Sequence, residues 1–292
     1  MTKSLNLIDR NNQGYKVYPA LIKDVKQTAK LMPELINPLM LNGTKFDRYD
    51  NYEQYTSKEQ YEAVQELISV ALRQQTNTAN FDLRIIKRLF IEYTAIDNSD
   101  TKDDYKSHTN IVDRNGNEHI AYSYLFTDYE EAIELFDKID TLVLLNNFED
   151  KTIREQAIHM VYKALNEKES KEDIIKYLDL DFLREAFKVY YDLPMGYDHV
   201  LLNDRRVEVG TVIKDEQGSE YRVFSMMLEH IDTVLKNLPV IHNEEPGDAY
   251  GATMELLELA FNKKYTREQL EDFLDVETVG KVMGIYMGLP VV

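Results

Sequence analysis

The chain of 292 residues contains no cysteine, which excludes disulfides, thiolate metal sites and thiol nucleophiles together. No run comes near the roughly 18 apolar residues of a membrane-spanning helix, so no such helix is expected. The opening MTKSLNLIDR lacks the apolar stretch of a secretory signal, and a cytoplasmic protein is the simplest expectation. The six histidines (His108, His119, His159, His199, His230, His242) form no HExxH or other i, i+4 ligand pair. There is no phosphate-binding loop either. Gly247-Asp248-Ala249-Tyr250-Gly251 has neither the spacing nor the lysine, and it reads as a helix start. No metal and no cofactor is expected.

Basic charge is also scarce, with 34 Lys and Arg against 52 Asp and Glu, a net of -18. That balance disfavours the phosphate neutralisation behind nucleic-acid binding, so no direct binding of that kind is expected. The acidity is uneven. Residues 1–97 hold 13 basic against 12 acidic side chains, 98–196 hold 12 against 22, and 197–292 hold 9 against 18. It fits a solvated surface that aids solubility, or a face that meets a basic partner, DNA mimicry included.

What the sequence does contain is an internal repeat. Ile8-Asp9-Arg10-Asn11 and the following NQGYKVYPALIKD align without a gap with Val112-Asp113-Arg114-Asn115 and GNEHIAYSYLFTD. The segment IKDEQGSEYRVFSMMLEH, ending at His230, continues the series and brings Tyr18, Tyr122 and Phe224 into register. Further along, NEKESKEDIIKYLDLDFLREAFKVYYDLP matches NKKYTREQLEDFLDVETVGKVMGIYMGLP without a gap. FDLRIIKRLFIEYTAID joins them, with Asp82 under Asp179 and Tyr93 under Tyr190. The expected fold is therefore α+β: three tandem repeats over 1–97, 98–196 and 197–292, each a β-hairpin followed by three to four helices.

Turn residues at Asn11–Gly14, Asn115-Gly116 and Glu216–Gly218 supply the positive φ of short hairpins. Asp24, Asp128 and, in third place, His230 stand where a first helix would be capped, and Pro33 should end or kink that helix. Second helices are expected at about 57–75, 150–166 and 247–262, the first opened by a Ser57–Gln60 capping box. Ser170–Asp173 and Thr266–Gln269 open a short third helix, truncated in the first copy. Asp82, Asp179 and Asp275 cap a last helix that Leu193-Pro194 and Leu289-Pro290 close. Linkers are expected at 97–108 and around 195–204.

Few residues point to chemistry. Asp179-Leu180-Asp181 has the form of a metal-binding DxD, but a carboxylate recurring at a helix start also satisfies free backbone N–H groups. His119 aligns with Tyr15 and Tyr221 and reads as a strand packing residue. Ser123 and Ser225 share a position that is Pro19 in the first copy, and neither has a recognisable general base. The expectation is a protein that is not an enzyme. On the last helix, Tyr190, Tyr191, Tyr286 and Met287 recur at helical spacing, which suits either the core or a partner groove. Gly280, Gly284 and Gly288 form a four-residue stripe that suits close approach of another helix, or close packing within the third copy. These seven are the candidate partner-binding residues.

Thr266 to Asp275, echoed by Ser170 to Asp179, with the turn, strand and helices before them, resembles the tail assembly chaperones of long-tailed bacteriophages. That resemblance implies a small α+β module that binds a long, amphipathic, helical tape-measure-like client, without catalytic residues. Three units stand here where the family carries about one. The expected partners are such a client and, additionally, self-association. The alternatives are an acidic inhibitor or DNA-mimic decoy of a nucleic-acid enzyme, and a structural assembly component.

Overall fold

The description rests on a computed structural model and covers residues 5–39, 58–74, 80–94, 108–145, 149–192, 209–214, 218–242 and 246–289. Helices and two-stranded antiparallel hairpins make an α+β fold. The chain divides into two compact units. One comprises Met1–Thr109, Ala121–Phe136 and Val189–Pro194, the other Asn110–Ile120, Asp137–Lys188 and Met195–Val292.

The element order runs through hairpin and helices three times. Strands β1 (Leu5–Ile8) and β2 (Gly14–Val17) precede α1 (Ile22–Leu39), α2 (Lys58–Leu72) and α3 (Leu83–Thr94). Strands β3 (His108–Val112) and β4 (Glu118–Tyr122) precede α4 (Tyr129–Leu145), α5 (Lys151–Ala164), α6 (Lys171–Ile175) and α7 (Leu180–Tyr190). Strands β5 (Thr211–Lys214) and β6 (Glu220–Val223) precede α8 (Ile231–Ile241), α9 (Ala249–Ala260), α10 (Arg267–Phe273) and α11 (Val276–Tyr286). The hairpin turns place Asn12, Gly116 and Gly218 at φ of 62°, 86° and 82°, the left-handed conformation that Asn and Gly tolerate best.

Local capping follows the sequence closely. The Ser170 hydroxyl accepts from Asp173 N, and Thr266 with Gln269 forms a reciprocal capping box. Carboxylates of Asp82, Asp179 and Asp275 accept from the backbone N–H three residues on, at 2.9, 2.9 and 2.7 Å. The start of the first helix differs from expectation. Helix α1 begins at Ile22, which puts Asp24 inside its first turn, and it continues past Pro33 to Leu39. Asp128 closes a short 3-10 turn, and His230 precedes α8 without a side-chain cap. Ser57, Pro194, Pro290 and the expected linkers, His108 apart, lie outside the described residues.

Each last helix turns an apolar face inward. Ile85, Ile86, Leu89, Phe90 and Tyr93 of α3 are buried, as are Phe182, Leu183, Ala186, Phe187 and Tyr190 of α7. Only Thr278, Val282 and Tyr286 are buried on α11. Its end is a Schellman turn, in which Leu289 N donates to Gly284 O at 2.8 Å and Gly288 N to Ile285 O at 3.0 Å, with Gly288 at φ 66°. Among the described residues, no helix is long and apolar enough to cross a membrane.

The glycines of α11 therefore differ in what they tolerate. Nothing lies within 4 Å of a Cβ built on Gly280, so Gly280→Ala should stabilise the protein by about 0.5–1 kcal/mol in urea unfolding. Gly288→Ala should cost at least about 1 kcal/mol, because its φ is positive and the new Cβ would meet Arg184 Nη1 at 2.6 Å.

Candidate functional site

The most heavily charged buried places in the described residues sit where a last helix begins. They are built upward from the hairpin turn. Asp9 Oδ1 accepts from Asn11 N and Gln13 N, at 2.8 and 2.9 Å, while Tyr15 OH donates to Oδ2 at 3.0 Å. Asp113 repeats this with Asn115 N and Asn117 N at the same distances. Burial would raise the Asp113 carboxyl, but hydrogen bonds from Asn117, His119 and Asn115 outweigh it and hold it below its ordinary value. The next residue in each turn, Arg10 or Arg114, is thereby aimed into the protein. Arg10 lies 4.9 Å over the Tyr122 ring, and Arg114 lies 5.1 Å over the aligned Phe224 ring.

Arg10 Nε stands 3.6 Å from Asp82 Oδ2, and its guanidinium donates to the Ser123 carbonyl. Helix α3 then starts with its first three N–H groups taken: Leu83 N by Tyr124 O at 3.0 Å, Arg84 N by Ser123 Oγ at 3.1 Å, and Ile85 N by Asp82. Phe126 N returns to Phe81 O at 2.8 Å. The second occurrence has the same pattern. Leu180 N donates to Met226 O at 3.0 Å, Asp181 N to Ser225 Oγ at 3.3 Å, Phe182 N to Asp179, and Leu228 N to Leu178 O at 3.0 Å. Arg114, Asp179 and Ser225 are all buried, as Asp82 and Ser123 are.

A further link recurs at the far end of the helix. Lys87 Nζ donates to Asp192 O at 2.9 Å, and Arg184, aligned with Lys87, donates to Gly288 O at 3.2 Å. Ala20 N, Tyr124 N and Met226 N each donate to the last-helix tyrosine carbonyl of Tyr93, Tyr190 and Tyr286, at 2.8, 2.9 and 2.8 Å.

The partner-binding candidates fall into this framework. Tyr190, Tyr191 and Tyr286 are interior side chains, and Tyr191 OH donates to Ala132 O at 2.7 Å. Met287 and Gly284 are half-buried. Gly288 is the buried cap that receives Arg184, while Gly280 is exposed and occupies the place of Lys87 and Arg184. The three glycines thus do not form one open face. Sequence reasoning missed Arg10, Arg114, Lys87 and Arg184 as joining residues. The signal was present in the aligned Asp9-Arg10-Asn11 and Asp113-Arg114-Asn115 turns, whose arginines point inward only once the fold is known.

One other cluster has the form of acid–base machinery. His119 Nδ1 lies 2.8 Å from Glu169 Oε1, and Nε2 lies 3.3 Å from Asp113 Oδ2. Tyr177 OH donates to Glu169 at 2.8 Å, and its ring stacks on His119 at 4.6 Å. A ring pair at the aligned positions explains this place. Tyr221, aligned with His119, stacks on Phe273, aligned with Tyr177, at 3.9 Å, while Tyr15 bonds Asp9 as His119 bonds Asp113. A ring at this place packs the hairpin onto its helices. Among the described residues, no group of three or more His, Asp or Glu side chains is arranged to hold a metal ion, and the DxD-like Asp179 is engaged as a cap. Comparison with protein-family models, with curated proteins and with solved structures gives no match.

Burial pushes the Asp82 carboxyl up to about 6, against the opposing pull of Arg10, the Ile85 N–H and the Ser123 hydroxyl. Asp275, with the same capping role but only half-buried, shifts the other way, held low by the Thr278 N–H. A raised folded-state pKa means that folding takes up a proton between roughly pH 4 and pH 6. Stability from this group is full below that window and falls as pH rises through it. Asp82→Asn keeps the cap but not the titration. Wild type should lose on the order of 1–3 kcal/mol relative to Asp82→Asn between pH 4 and 6, by urea unfolding. Parallel pH curves would show that Asp82 does not titrate there. His119→Tyr should fold and cost under about 1 kcal/mol, whereas His119→Ala should cost about 1–3 kcal/mol through the lost stack and hydrogen bonds.

Proposed function

We propose that the chain is three diverged copies of one hairpin-and-helices unit, over 1–97, 98–196 and 197–292, and that it works as a non-enzymatic cytoplasmic binding protein of the tail assembly chaperone kind. Its client is a long amphipathic helical protein. The observation that supports this reading is the junction met twice, in which Arg10, Asp82 and Ser123 recur as Arg114, Asp179 and Ser225 with the same backbone bonds around them. Charged groups that in an enzyme would face a substrate are here committed to joining one unit to the next.

Such a chain presents similar surfaces in series, so weak contacts to one long client gain from effective concentration. Ile120 on β4, Val212 on β5 and Tyr250 on α9 are exposed and offer apolar contacts to an amphipathic helix. The excess of acidic side chains in 98–292 favours a lysine-rich stretch of that client and speeds its encounter at low salt. A tagged pull-down from the native cell at low and high salt, read by mass spectrometry, tests the reading. The expected result is a long helical protein retained at high salt. Recovery of a nuclease or polymerase that is released by salt would replace it with the acidic decoy.

A further inference from the structure

Two of the aligned last-helix tyrosines are tied through their hydroxyls to the start of a first helix, and the acceptor differs between them. Tyr93 OH lies 3.0 Å from Thr28 Oγ1, which itself donates to Asp24 O at 3.0 Å and so accepts from the phenol. Tyr286 OH lies 3.3 Å from Nδ1 of His230, the residue before α8. A hydroxyl oxygen accepts at any ordinary pH. An imidazole nitrogen accepts only while it carries no proton. Both ends of the second tie are held by other bonds. Tyr286 is fully buried and its carbonyl accepts from Met226 N at 2.8 Å, while His230 N donates to Met227 O at 2.9 Å.

The surroundings of the His230 ring fix which nitrogen holds the proton. Nε2 lies 3.5 Å from Glu229 Oε1, so the single proton of the neutral ring belongs there, and Nδ1 keeps its lone pair for Tyr286. Burial raises the Tyr286 phenol against the pull of Arg114, so the hydroxyl stays a donor. The charges that act on His230 come from three elements: Glu229 from the 3-10 turn before α8, Arg114 from the β3–β4 turn, and Lys263 from the turn after α9. Burial holds the His230 pKa below its ordinary value, Arg114 and Lys263 push the same way, and the exposed Glu229 opposes them. A second proton on the ring sets a cation beside two others and leaves the Tyr286 hydroxyl facing a donor.

We propose that His230 is an acid-released latch between α8 and α11, in which the neutral ring holds the Tyr286 hydroxyl and the imidazolium lets it go. The unfolded chain takes up this proton at a higher pH than the folded one. The latch is therefore complete above about pH 6.5, and its contribution is lost as the pH falls below that value. Asp82, in the other compact unit, responds in the opposite sense, since its contribution falls as the pH rises. Mild acid thus loosens the unit that holds α8 and α11 while it favours the one that holds α3. The opening is local, because it frees the end of α11 and the Met226–Tyr286 backbone bond first. It is independent of the client.

Amide hydrogen exchange of the full-length chain at about pH 7.5 and about pH 5, corrected for the intrinsic rate at each pH, tests it at the Met226 N–H, whose acceptor is Tyr286 O. On acidification, protection there should fall at least about threefold more in wild type than in His230→Asn. That variant keeps an acceptor near the place of Nδ1 and does not titrate. Followed by NMR, the wild-type His230 ring should titrate below pH 6.5, and closer to that value in Tyr286→Phe, which removes the bond to the neutral ring. Protection that falls in parallel in wild type and His230→Asn overturns the proposal. So does a His230 ring that titrates at or above pH 6.5 in wild type, or one whose titration Tyr286→Phe does not move. Should either variant fail to fold, the wild-type ring titration decides alone.

Discussion

The rest of the molecule depends on a carboxylate at the start of a helix, buried together with the arginine that answers it. A lone ionised carboxylate in a protein interior is expensive, and the group will take a proton unless donors surround it. Asp82 offsets part of that cost with three elements at once: its own helix through Ile85 N–H, its own hairpin turn through Arg10, and the next hairpin through Ser123. Burial still outweighs them and holds the carboxyl above its ordinary value. The same residue type in the same capping role at Asp275 is only half-buried and bonds within its own helix start, through the Thr278 N–H and hydroxyl. Burial, not capping, is what turns a local helix signal into a joint among Arg10, Asp82 and Ser123.

That joint explains why the compact units do not follow the sequence boundaries at 97/98 and 196/197. The segment around Ser123–Phe126 belongs by sequence to the second span, yet its backbone completes the start of α3. The end of α7 goes the same way, since Tyr124 N is held by Tyr190 O and Lys87 reaches Asp192. The first unit therefore closes only by including Ala121–Phe136 and Val189–Pro194, pieces of the span that follows.

Elements governed by local rules were legible in the residues. The hairpin turns, the Ser170 and Thr266 caps and the second helices depend on a few neighbouring side chains, and they lie where propensity and capping chemistry put them. What was not legible depends on tertiary position. Helical spacing of Tyr190, Tyr191 and Tyr286 is the same whether the face meets a core or a partner, and here it meets the core. The stripe of Gly280, Gly284 and Gly288 stands out against the aligned Arg184, Lys188 and Asp192, but its members do separate things. Gly280 is exposed where the aligned residues, Lys87 and Arg184, are cations. Gly288 is a left-handed cap that leaves room for Arg184. Of the end or kink expected of α1 at Pro33, the end does not occur, since the helix continues to Leu39.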